Sequence, residues 1–296
     1  MQSDNLKHHL HLHLIVLIWG FTAVLGALIS LEAIPLVWFR MTIAAAAVLV
    51  FMIVSGRWKK PDKHSLIKML GLGLALALHW LTFFGAIKIS NVSVTLSVMA
   101  TGAFFTAFLE PLIYNRPMNW REVILGLFAV LGLGIIFHAS TQYFWGILMA
   151  LLSAFLSALF SVFNGRLVQE NSATTISFFE LFFGVLGISI YLLITGIFDA
   201  EFFVLSGSDW LYITILATIC TAYAFIASVN LMKWLTPFTL MLTINLEPVY
   251  GILLALLVFG DAEYMSGTFY IGAAIILCTV LVNAYFKTKG RRNYPQ

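Results

Sequence analysis

Charge is what this sequence has least of: Lys, Arg, Asp and Glu make up 10% of 296 residues, while 61% are hydrophobic. Soluble domains average about a quarter charged residues, so this composition excludes an ordinary water-exposed surface. Cysteine is nearly absent. Cys220 and Cys278 both lie inside apolar runs, which gives no disulfide framework and leaves each as a small packing residue. There is no Walker motif, no zinc-ligand pair on one helix and no nucleophile–base constellation, which argues against ATP-driven work and leaves no cofactor or metal to expect. Gly71-Leu72-Gly73 lacks the strand and the remaining glycines of a dinucleotide loop.

Apolar runs recur from end to end, and each is long enough to cross a bilayer. We read ten spans: Leu12 to Ser30, Leu36 to Val54, Leu66 to Gly85, Val92 to Tyr114, Val123 to His138, Tyr143 to Val168, Thr175 to Phe198, Trp210 to Leu231, Pro237 to Phe259 and Met265 to Phe286. The expected fold class is an all-α polytopic membrane protein in a lipid bilayer. The first run is expected to be a retained anchor, lacking the small-residue cleavage site of a signal peptide.

Basic residues are nearly missing from every second connection. With the N-terminus inside, the cytoplasmic segments hold Lys7, Arg57, Lys59, Lys60, Lys63, Lys68, Arg116, Arg121, Arg166, Lys233, Lys287, Lys289, Arg291 and Arg292. The other side holds Lys88 alone, beside Glu32, Asp199, Glu201, Asp209, Asp261 and Glu263. Both termini are therefore expected in the cytoplasm. The net charge of +3 is a topology signal, and no nucleic-acid partner is implied.

The second half echoes the first. At an offset of 145, Ala86-Ile87-Lys88 lies over Leu231-Met232-Lys233 and Gly102-Ala103 over Glu247-Pro248; at about 140, Trp19-Gly20 lies over Leu159-Phe160 and Arg40 over Glu180. Five spans per half is odd, so the second copy enters from the other side. We expect two inverted five-helix repeats, residues 1–140 and 141–296, and inverted repeats are the physical basis of alternating access.

Trp19-Gly20, Arg40, the run Thr106-Ala107-Phe108-Leu109-Glu110-Pro111-Leu112, and Leu246-Glu247-Pro248-Val249-Tyr250 with Phe259-Gly260-Asp261 resemble the EamA-type ten-helix permeases of the drug/metabolite transporter superfamily. The resemblance covers nearly the whole chain. It implies a bacterial inner-membrane permease, with export as the favoured direction, for small organic metabolites such as amino acids or related amphipathic compounds. Asp261 stands where glutamate is commoner, and the first-half counterpart, Arg116-Pro117, has no acidic residue there.

Polar residues inside spans are the candidate chemistry, since a charge near the bilayer interior costs roughly 2.5 kcal/mol or more. Glu247 is the first candidate, as a ligand for a substrate amino group or as the carrier for protons, the candidate coupling ion; the alternative is that it accepts backbone donors freed near Pro248. Asn245 faces the cavity or a neighbouring helix. His79 and Trp80, with Phe83 and Phe84 nearby, form the second candidate for substrate contact. Arg40 and Glu180, at equivalent repeat positions, either gate the cavity as a pair or serve as structural charges. Ser153, Ser157 and Ser161 line one helix face suited to close packing. Gly126, Gly132, Gly134, Gly267 and Gly272 have the same use, and His8, His9, His11 and His13 suit interfacial anchoring. The competing class is a polytopic membrane enzyme acting on an amphipathic or lipid-linked substrate, with Glu247 and His79 as an acid/base couple.

Overall fold

The computed structural model describes residues 2–56, 58–118 and 120–292; Arg57 and the side chains of Arg121, Lys287, Lys289, Arg291 and Arg292 lie outside the described set. Thirteen α-helices occur among the described residues: α1 (Gln2–Leu28), α2 (Ala33–Val54), α3 (Lys63–Ile89), α4 (Val92–Met99), α5 (Gly102–Ile113), α6 (Trp120–Ala139), α7 (Phe144–Glu170), α8 (Ala173–Thr195), α9 (Gly207–Ala217), α10 (Ala224–Leu231), α11 (Pro237–Ile244), α12 (Glu247–Phe259) and α13 (Gly267–Arg292). Helices are the open-ended way to satisfy every backbone polar group without water, and these apolar sequences have no other solution. Starts are set locally: Asp62, Asn91, Ser172, Ser206 and Thr236 each accept backbone N–H groups at the head of the helix that follows.

Among the described residues eight helical segments meet the length and hydropathy of a crossing, and two shorter apolar stretches, Ile124–Ala139 and Gly267–Thr279, accompany them. These two fall in the expected fifth and tenth spans. The helices that carry them, α6 (Trp120–Ala139) and α13 (Gly267–Arg292), are themselves long enough to cross a bilayer.

Three spans are not single α-helices. α4 and α5 together make one crossing, as do α11 and α12, and α9 joins α10 through a π-helical segment, Thr218–Tyr223. The two breaks correspond bond by bond at the offset of 145. Ala100 N–H bonds Leu96 O at 3.2 Å, Thr101 N–H bonds Val98 O at 3.0 Å, and Phe105 N–H bonds Thr101 O at 3.2 Å. Their counterparts are Asn245 to Met241 at 3.2 Å, Leu246 to Thr243 at 3.0 Å and Tyr250 to Leu246 at 3.2 Å. The tightened i to i−3 turn resets the helix in both copies. Pro248 accounts for one break, since it has no N–H to continue the ladder; Thr101, whose hydroxyl donates to Val98 O at 2.8 Å, stands at the other.

The packing has the same two-fold logic. α2 meets α8 and α6 meets α13; α3 packs on α7 and α8, as α9 and α10 do on α1 and α2 with the π segment; α12 packs on α1, and α4 and α5 pack on α7. Small residues let these backbones touch. A Cβ on Gly132 would lie 2.9 Å from Gly272 O, and one on Gly272 would lie 2.8 Å from Gly132 O, so each glycine is required by the other. His8 stacks on Trp234 at 4.4 Å and His11 bonds the Tyr223 hydroxyl at 2.9 Å, which ties the head of α1 to the end of the eighth crossing.

Candidate functional site

A cavity of about 80 Å³ open to water centres lies where the breaks of the two halves meet α1, α2, α3, α7 and α10. Its walls include Trp19, Arg40, His79, Trp80, Phe83, Ser157, Phe160, Asn164, Phe225, Asn245 and Glu247. At roughly 10–15 Å³ per water position this volume holds several waters, yet it is too small for a drug-sized molecule. Every residue expected at the substrate site, namely His79, Trp80, Phe83, Asn245 and Glu247, borders it. Arg40 borders it too, while Glu180 reaches it through Asn164.

Arg40 is 2% exposed and its surroundings are unusual for a cation. Its Nε donates to Thr221 Oγ1 at 2.6 Å, and its guanidinium lies 4.1 Å from the centre of the Trp80 ring and 5.2 Å from that of Phe84. Such a desolvated cation–π contact is worth roughly 2 kcal/mol, less than the several kcal/mol that burying an unpaired charge costs. Thr221 can accept because its own hydroxyl donates to Leu216 O, five residues back, at 2.7 Å. The π segment thus supplies the acceptor. It also turns the Cys220 carbonyl outward to take the Trp19 indole N–H at 3.2 Å.

Glu180 is fully buried, and its Oε2 accepts from Asn164 Nδ2 at 3.1 Å. Its backbone is pressed against α3, where a Cβ on Gly73 would sit 2.5 Å from Glu180 O. Arg40 and Glu180 do not touch. Each lies seven residues into its helix, after Ala33 and Ala173, which begin at opposite faces of the bundle. At 1.5 Å per residue each is about 10 Å deep, measured from its own side. Of the two arrangements the repeat allowed, equivalent points on opposite sides is the one observed.

His79 is fixed rather than free. Its Nδ1 lies 2.9 Å from Ser153 O and 2.8 Å from Ser153 Oγ, so the ring is held on that side by one residue of α7. Ser153 Oγ returns a bond to His79 O at 2.9 Å. The pair joins α3 to α7, and the imidazole contacts Phe160 at 5.4 Å between centroids. The serine stripe therefore does more than pack: Ser153 orients His79, while Ser157 and Ser161 face the cavity.

Glu247 begins α12 beside Pro248, where the positive end of the helix favours a carboxylate. Its side chain is half-buried against the cavity and takes no hydrogen bond from the donors near Pro248 among the described residues.

At the acidic face, two carboxylates link the halves. Asp209 Oδ1 accepts Ser30 N–H at 2.7 Å and its Oδ2 accepts the Ser30 hydroxyl at 2.6 Å. Glu263 accepts Val92 N–H at 2.9 Å and Ser93 N–H at 2.8 Å, at the head of α4. At the basic face the halves are joined by single bonds: Glu110 accepts Phe238 N–H at 3.1 Å, Asn171 donates to Ser65 Oγ at 3.1 Å, and Arg166 Nη1 donates to Ile113 O at 3.0 Å. An open vestibule of about 410 Å³ lies there, lined by Tyr114, Arg166, Gln169, Lys233 and Pro237 among others. Met232 borders both vestibule and cavity. Burial, then the neighbouring Glu110 carboxylate, hold the Tyr114 phenol above its ordinary pKa, so it stays a neutral donor to Val162 O.

Sequence reasoning missed the Glu263 and Asp209 contacts, which join residues distant in the chain, and Thr221, whose acceptor role depends on the π segment. Glu110, expected near a helix end, is buried there and caps α11.

A model of the EamA-like transporter family matches residues 7–138 and again residues 144–285. The chain belongs to the EamA-like transporter family. It is thus a multi-pass membrane protein of the drug/metabolite transporter superfamily, built on that family's two-repeat architecture. A solved crystal structure superposes on 93% of this chain and 96% of its own with a TM-score of 0.66 at 18% identity, a likeness of fold. No curated protein matches the chain.

Proposed function

We propose that this EamA-like protein is a secondary permease that moves small organic metabolites, such as amino acids or related amphipathic compounds, by alternating access between two inverted five-helix halves, residues 1–140 and 141–296. The observation that carries the reading is the cavity at the paired helix breaks, lined by aromatic, aliphatic and polar side chains, with a vestibule beyond it on one face. Broken helices at mid-depth bring backbone and buried polar groups to a solute where continuous helices would present only side chains. Two carboxylates that each accept two donors hold the acidic face, while the vestibule lies at the basic face, and this supports a reading in which the cavity is loaded from the basic side.

Basic residues favour a cytoplasmic location for that side, in a bacterial inner membrane, with both termini inside. Loading from the cytoplasm and release outward is export. His79, Trp80, Phe83, Asn245 and Glu247 contact the solute in this scheme. Glu247 is the proton-coupling candidate, because it is an acid at the cavity without a fixed internal partner. Reconstituted protein should accumulate or release a radiolabelled solute such as leucine in liposomes, without altering it chemically. Chemical turnover of the solute without vectorial movement would transfer the site to the enzyme class.

A further inference from the structure

Two buried donors on the cavity wall have no protein acceptor among the described residues. Arg40 Nη1 and Asn245 Nδ2 make no hydrogen bond, although both residues are 2% exposed and both border the cavity. The guanidinium is always charged, so its need for an acceptor cannot be removed by losing a proton. It is also held in place. Nε is tied to Thr221 at 2.6 Å, and the ring of Trp80 lies 4.1 Å from the guanidinium carbon, which leaves the Nη edge as the part not engaged by these contacts. No carboxylate lies within 4 Å of it among the described residues. A planar fork with one edge unoccupied matches a planar two-oxygen acceptor.

We propose that Arg40 and Asn245 form a carboxylate subsite, so that the permeant solute carries a carboxylate beside an apolar body. This rests on reading the cavity as the transport site. Phe83, Phe160 and Phe225 supply apolar surface for the body of the solute. Glu247, of opposite sign to Arg40 in the same cavity, suits an ammonium group there and works against a second acidic group. The ligand class is therefore a small monocarboxylate or zwitterion with an apolar side chain. Because Arg40 carries the attraction, it is a binding residue for the solute rather than the gate partner of Glu180.

The test uses four compounds of one shape on the full-length protein in detergent: 4-methylpentanoate, L-leucine, 4-methylpentanamide and 3-methylbutylamine. Binding is read by thermal shift and by quenching of tryptophan fluorescence. The two carboxylates should raise the melting temperature and bind at least tenfold more tightly than the amide and the amine. Arg40→Gln should erase that preference, and Arg40→Lys should retain part of it, since an ammonium keeps the charge but not the fork. Amide or amine binding within threefold of the carboxylates in the unaltered protein overturns the proposal, as does binding by neither carboxylate. That arm needs no variant to fold. Flux separates the two claims: carboxylates that bind but never cross a liposome membrane refute transport and leave the subsite, whereas saturable amine flux that carboxylates do not inhibit refutes the subsite and leaves transport.

Discussion

Closure at the acidic face rests on two carboxylates, and Glu263 gives the cleaner perturbation because it accepts two backbone N–H groups from the other half and caps no helix of its own. Hydrogen bonds to a charged group contribute roughly 1.5–3 kcal/mol each, and Glu263→Gln keeps one carbonyl acceptor while losing the charge and one bond. The expected loss is about 2 kcal/mol from the latched state. If the latch opens during transport, that loss shifts the balance of open to closed by roughly thirtyfold. Cys220 is a native reporter, 3% exposed and on the cavity wall. In a Cys278→Ser background its reaction with an impermeant thiol reagent, applied from the acidic face, should accelerate by about that factor in Glu263→Gln. Ser30→Ala, which removes one hydroxyl donor to Asp209, should give about a fivefold acceleration from roughly 1 kcal/mol. Unchanged labelling alongside a lowered melting temperature would refute the reasoning: Glu263 would then be a static clamp, and the faces would not exchange by breaking it.

Glu247→Gln and His79→Ala should each lower transport more than they lower the amount of folded protein in the membrane; loss of the protein itself, or normal transport, removes that residue from the site. Substrate flux into proteoliposomes should follow a pH gradient in the unaltered protein and ignore it in Glu247→Gln, and gradient-driven flux in that variant would move the coupling role to another group. Cysteines at Lys60 and Ser206, with Cys220 and Cys278 replaced, should label from opposite sides of the membrane; labelling from one side would dismantle the orientation and the inverted repeat with it. Gly132→Val should cost about 1–3 kcal/mol, because α6 and α13 must separate to admit the side chain. A melting temperature equal to the parent's would contradict that crossing.

The helical, membrane-spanning character of the fold was legible because it depends on local composition alone. Glu247 was legible for a related reason: a carboxylate and a proline inside an apolar run violate the rule that surrounds them. The aligned turns at Thr101 and Leu246 could be located by offset, but the break at Thr101 could not be foreseen, as Gly102-Ala103 carries no proline. Long-range polar partners were illegible. Nothing near Glu263 in sequence points to the head of α4, and nothing near Arg40 points to a hydroxyl on a π turn 181 residues away.

The two halves share a backbone plan but not their polar groups, and that difference is where direction enters. A strictly symmetric molecule would bind its solute equally well when open to either face. Here the equivalent positions carry Arg40 on one side and Glu180 on the other, the equivalent breaks carry Ala100 and Asn245, and the positions beyond them Gly102 and Glu247. The acidic-face latches are two-point and charge-assisted, while Glu110 at the basic face holds one N–H. In the proposed alternating access, exchange of the halves is therefore an exchange between unequal states. A solute alters that balance only through its differential affinity for them. In the proposed scheme the groups on the cavity wall without a protein partner, Arg40 Nη1, Asn245 Nδ2 and Asn164 Oδ1, provide that differential contact. None of the three has a protein partner among the described residues, so in the proposed scheme a solute that satisfies them binds more tightly to the state in which these walls converge than to one in which they part.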